Sequence, residues 1–190
     1  MSESKNVIII KKSIFMGQNR NLNRIKILGL VMLFMFIATQ AFSQKCKFDI
    51  DKKDPLSGEQ TKGISFKINT NWSLGFNKVN NQYFVGMSIV FNGNTREILT
   101  PENTIIFKLA NGEIITIYAK DNYTPTAQVM GYNIVSRYIA LYDISEEDLQ
   151  KIAASPLVYA KVGVGSVAHQ SEFNSKKGTE FQNKAKCILQ

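Results

Sequence analysis

Histidine, tryptophan, cysteine and proline are all scarce in this 190-residue chain: one His, one Trp, two Cys and four Pro. Each scarcity closes off a class of chemistry. A Ser/His or Cys/His nucleophile system would have only His169 as its base, and no G-x-S-x-G elbow surrounds any serine. His169 sits in Ser166-Val-Ala-His-Gln-Ser-Glu172 and is expected to lie exposed in a loop. There is no CxxC, no second histidine and no Cys-rich cluster, so the chain carries no metal signature of that type. Internal repeats, low-complexity tracts and Pro-rich or Gly/Ser linkers are also missing, which leaves a single domain. No cofactor motif is found.

Two weak patterns fail on their details. The carboxylates Asp49, Asp51, Asp54 and Glu59 invite a calcium reading, but Asp54 occupies the position of the EF-hand glycine and the terminal Glu is missing. A solvated turn is expected instead. The glycines of Val162-Gly-Val-Gly-Ser166 lack the third glycine, the lysine and the following helix of a phosphate loop, and read as a strand end.

Long apolar runs are rare too. The most apolar stretch, Ile27–Thr39, is uncharged, follows Arg20, Arg24 and Lys26, and precedes the small-residue pattern Ala41-Phe42-Ser43. That order of basic, apolar and small residues describes a secretory signal peptide. The run falls short of the roughly 18 residues that a membrane-spanning helix needs. The expected leader covers residues 1–43, with cleavage between Ser43 and Gln44 and with Met16 as an alternative start. A lipid anchor on Cys46 is disfavoured because Ser43-Gln44-Lys45 is no lipobox. Membrane contact is thus expected only through the leader. A single β-rich domain over 44–190 remains.

Without residues 1–43 the formal charge falls from +8 to +3, with 17 basic and 14 acidic residues. The remaining lysines are scattered and form no basic stripe, which argues against a nucleic-acid partner. Cys46 and Cys187 lie near the two ends of the exported domain, and an oxidising compartment favours a disulfide between them over a nucleophilic thiol or a metal ligand.

Strand patterns dominate the rest. Ile64, Phe66 and Ile68 alternate with Ser65, Lys67 and Asn69 over residues 63–70. Residues 72–76 and 82–91 form an expected hairpin around Asn80-Asn81, since asparagine tolerates the left-handed backbone of such turns. In residues 104–119 the pair Asn111-Gly112 predicts a two-residue type I′ turn, with Ala110 opposite Glu113. That register puts Ile105, Phe107, Leu109, Ile114 and Tyr118 on one face, and Ile106, Ile115, Ile117 and Ala119 on the other. Both faces are then apolar, and the hairpin should be central and covered on both sides. Residues 132–144 and 157–164 complete seven strands. Ser145 and Asp148 cap a short helix to about Ala154, and Thr179 with Gln182 opens a closing helix that carries Cys187.

The predicted fold is α+β: a mainly antiparallel sheet of about seven strands with one short inserted helix and one C-terminal helix, or alternatively a β-sandwich with a terminal helix. Trp72, Tyr83, Tyr123, Tyr132 and Tyr138 are candidates to line a groove, although at strand spacing such rings commonly pack in the core. The leader ending Ala41-Phe42-Ser43-Gln44, Cys46 followed by Asp54-Pro-Leu-Ser-Gly58, Leu109-Ala-Asn-Gly-Glu113, Ile144-Ser-Glu-Glu-Asp-Leu149 and Lys186-Cys187-Ile188 together resemble a loose group of small exported proteins of Bacteroidota-type bacteria. That resemblance implies export and a shared fold and supplies no active-site residue. The expected function is a non-enzymatic periplasmic or secreted module that binds a protein or a small ligand. A hydrolase acting on envelope or host polymers and a structural envelope component are the alternatives.

Overall fold

A computed structural model describes residues 46–165 and 167–190. The expected leader, the Ser43–Gln44 junction and Met16 lie outside the described residues. Residues 46–190 form one compact unit. Its strands are β1 (Ile50–Lys53), β2 (Gln60–Lys67), β3 (Trp72–Val79), β4 (Gln82–Asn92), β5 (Thr104–Leu109), β6 (Ile114–Ala119), β7 (Thr126–Met130), β8 (Asn133–Ile144), β9 (Leu157–Val164) and β10 (Val167–Glu172). Helix α1 (Glu146–Ala154) joins β8 to β9, and α2 (Ser175–Leu189) follows β10.

All ten strands belong to one sheet in the order β1-β2-β3-β4-β8-β6-β5-β9-β10, with β7 paired to β8 and every pairing antiparallel. The α+β expectation holds, the count rises from about seven strands to ten, and the sandwich alternative is not realised. The three added strands, β1, β7 and β10, are short and largely polar or exposed, so no apolar alternation announced them. Each is held mainly by backbone pairing to one neighbour.

Helix α2 packs on the neighbouring strands β2 and β3 and also on β9, which is far from them in the strand order, so the sheet must curl around it. The centre of the contact is Phe181, whose ring lies 5.2 Å from Phe66 on β2, 4.8 Å from Phe76 on β3 and 5.5 Å from Phe107 on β5. Such tilted and edge-on ring pairs add to the gain from burying the apolar area. Gly178 lets the helix approach this closely, because a Cβ there would collide with the backbone carbonyl of Leu157. The helix begins at Ser175, four residues before the expected start, because the Asn174 side chain accepts from the Lys177 amide (2.9 Å). Lys177 in turn donates to the Ile68 carbonyl (2.6 Å), and buried Gln182 donates to the Ala153 carbonyl at the end of α1 (3.1 Å). Helix α1 starts as expected, with Ser145 accepting from the Asp148 amide.

A disulfide joins Cys46 to Cys187 on α2, with 5.5 Å between the Cα atoms, inside the range that a bridge requires. Closing a loop this long is worth up to about 5 kcal/mol in the chain-entropy account.

The β5–β6 hairpin departs from the expected register. Phe107 faces Ile115 and the Leu109 amide donates to the Glu113 carbonyl, so the loop has three residues, Ala110 to Gly112. Only Gly112 has positive φ (92°); Asn111 does not, so the turn cannot be type I′. The reason is tertiary. The amide of Ala110 donates to the Pro156 carbonyl (2.8 Å), and that of Asn111 donates to the Ser155 hydroxyl (3.1 Å). A one-residue slip exchanges the faces of one strand. Ile105, Phe107, Leu109, Ile115, Ile117 and Ala119 now share the buried face, whereas Ile114 and Tyr118 are exposed. The hairpin is central in the strand order but is not covered on its second side.

Candidate functional site

The curled sheet opens beyond the end of β4. Phe91 and Tyr138 point into the interior there, with rings 5.6 Å apart and nearly perpendicular. Ser136, directly opposite Phe91, donates to the Gly93 carbonyl (2.8 Å) and accepts from the Thr95 amide (2.9 Å). These bonds fold the β4–β5 connection back over the strand ends. The Tyr138 hydroxyl donates to the backbone carbonyl of Glu97 (2.6 Å), a second tie on the same connection. Burial holds the Tyr138 phenol above its ordinary pKa, so it stays protonated and able to donate.

The opposite wall is the β9–β10 hairpin. Val164 and Val167 pair at its turn, and His169, four residues past Gly165, lays its ring edge-on at 4.7 Å from Phe91. The Glu97 carboxylate packs against Gly165, whose left-handed φ of 55° disfavours a side chain there. Between these walls lies a cavity of ≈ 290 Å³. Asn71, Asn92 and Thr95 add polar groups to its lining; among the described residues that line it, Glu97 is the one acidic residue and none is a lysine or arginine.

Of the aromatic and histidine candidates, the structure brings His169 and Tyr138 together. His169 is half-buried on a strand and not in a loop, a correction that follows from the pairing of β10 with β9. Trp72 is buried at the start of β3, and its indole Nε1 has no partner among the described residues. Tyr123 bridges to Leu99 and donates to the Leu141 carbonyl (3.3 Å). Tyr132 stands fully exposed at the β7–β8 turn. Tyr83 is buried beneath the Lys78 ammonium, 5.0 Å from its ring centre. It flanks a smaller cleft of ≈ 180 Å³ that includes Lys62 and Lys78, direct cross-strand neighbours.

Phe91, Thr95 and Glu97 escaped the sequence reading, because nothing local links a strand end to a connection six residues on. The β10 wall did leave a signal. Gly-Ser between two valines is a hairpin dipeptide, and Gly165 indeed has φ 55°.

The acidic N-terminal segment is not a cluster. Asp49 accepts from both the hydroxyl and the amide of Ser65 (2.6 Å each), and Asp54 accepts from the Leu56 and Ser57 amides. These bonds hold both carboxyls below the ordinary value of 3.8. Among the described residues, no three His, Cys, Asp or Glu stand together as a metal site.

Comparisons with protein families, curated proteins and solved structures found no match to the chain.

Proposed function

We propose that this chain is an exported, non-enzymatic binding module whose ligand is a small molecule with an apolar or aromatic body and a neutral or cationic polar end. One observation carries the reading. Phe91, Tyr138 and His169 converge on a cavity at the small end of ligand-pocket sizes, whose described lining residues include one carboxylate and no lysine or arginine. Ring faces and a carboxylate favour a cation over an anion. A glycosidase-like hydrolase would need two carboxylates flanking the substrate, and the described lining residues supply one. Export is supported by the leader pattern together with the disulfide, and among the described residues no helix is long and apolar enough to cross a membrane.

Three probes that share one ring test the site: benzylamine, benzyl alcohol and benzoate. Saturable NMR shifts at Phe91, Tyr138 and His169 are expected with the first two and not with benzoate. Equal response to all three, or shifts scattered over the surface, would reject it. Intact-mass analysis of protein from its native host tests export separately: a mass beginning at Gln44 is expected, and a retained leader counts against it.

A further inference from the structure

The edges of the sheet differ in how they are protected. β1 carries Asp51, Lys52 and Lys53, and β10 carries Glu172. Charged side chains on an edge discourage another strand from adding to it. β7 has no such guard. It bonds only to β8 among the described strands, and all of it except Gln128 is exposed. From Asn122 to Ser136 the chain has no charged residue, although one-fifth of all residues are charged. Exposed apolar side chains crowd the same hairpin: Val129 (76%), Met130, Tyr132 and Ile134.

We propose that β7 pairs edge to edge with β7 of a second copy of this chain, antiparallel and about a two-fold axis. A two-fold interface sets a strand against itself, so any cluster of like charge would meet its own copy. A neutral strand with an open edge satisfies that condition, and β1 with its adjacent lysines does not. With the axis at Gln128, Ala127 of each copy faces Val129 of the other. Two five-residue edges and two hairpin tips give an interface at the small end of the specific range, so the dimer is weak and concentration-dependent.

Sedimentation velocity on the protein purified from its native host, from micromolar to near-millimolar concentration, reads this directly. The expected result is a reversible monomer–dimer equilibrium. Val129→Lys and Ala127→Glu should each raise its dissociation constant, the former by about tenfold or more. An equimolar mixture of the two variants should recover association, because the introduced charges then face each other. A wild-type protein monomeric throughout overturns the proposal, and so does a dimer that Val129→Lys leaves unchanged or a mixture that fails to recover. Both positions are exposed, and near-UV circular dichroism checks that each variant is folded. Thr126→Lys serves if Val129→Lys is not.

Discussion

The two ends of this sheet solve the same packing problem differently. Where β2, β3, β5 and β9 curl inward, α2 fills the space: Phe181 meets three rings, Gly178 touches backbone, and the disulfide ties the helix to the segment before β1. Where β4, β8, β9 and β10 end, neither described helix enters, and Phe91, Tyr138 and His169 are left around a cavity. The β7–β8 hairpin beyond carries apolar side chains into solvent. The tightest packing and the disulfide lie at the filled end, and the proposed binding role falls on the open one.

That contrast can be broken by experiment. The largest effect is expected from reducing the Cys46–Cys187 bridge, which should cost up to about 5 kcal/mol and lower the guanidinium midpoint measured with and without reductant. An unmoved midpoint would mean that the bridge constrains little. Phe181→Ala should cost about 3–5 kcal/mol by the same measurement, because the neighbouring rings cannot collapse into the space. Gly178→Ala should cost about 1–3 kcal/mol as α2 is pushed off Leu157. A neutral result there would show that the helix shifts freely and is not the rigid filling described.

The smallest effect sharpens the comparison through pH. Ser65 depresses the Asp49 carboxyl in the folded state, so its contribution is complete above the ordinary value of 3.8 and is lost as pH falls through the lower folded value. Hydrogen exchange at Ser65 and along the β1–β2 pairing should accelerate below about pH 4, while amides of α2 stay protected. Asp49→Asn should flatten that acid limb. If α2 loosens in the same pH window, the two regions are not independent.

Much of the filled end was legible in sequence. Ile64, Phe66 and Ile68 alternate cleanly, Ser145 and Asp148 stand at capping distance, and Asn80 has the left-handed φ of 54° that its turn required. These signals are local, and a pattern of period two or a cap spaced three residues on needs no partner to be read. The open end was mostly illegible. Thr126–Met130 and Val167–Glu172 have little apolar alternation, and their strand state comes from β8 and β9. The cavity joins β4, the β4–β5 connection, β8 and the β9–β10 hairpin, segments whose meeting no spacing encodes.

By itself, the sequence determined the leader pattern, the antiparallel character of the sheet, the start of α1, the start of α2 to within four residues, and the pairing of its only two cysteines. The tertiary structure decided how strands slide and what meets at their ends. The β5–β6 hairpin shows the physical reason. Asn111-Gly112 is compatible with either of two turns one residue apart, and the choice fell to Ser155 and Pro156, which accept from the Asn111 and Ala110 amides from 44 and 46 positions further along the chain.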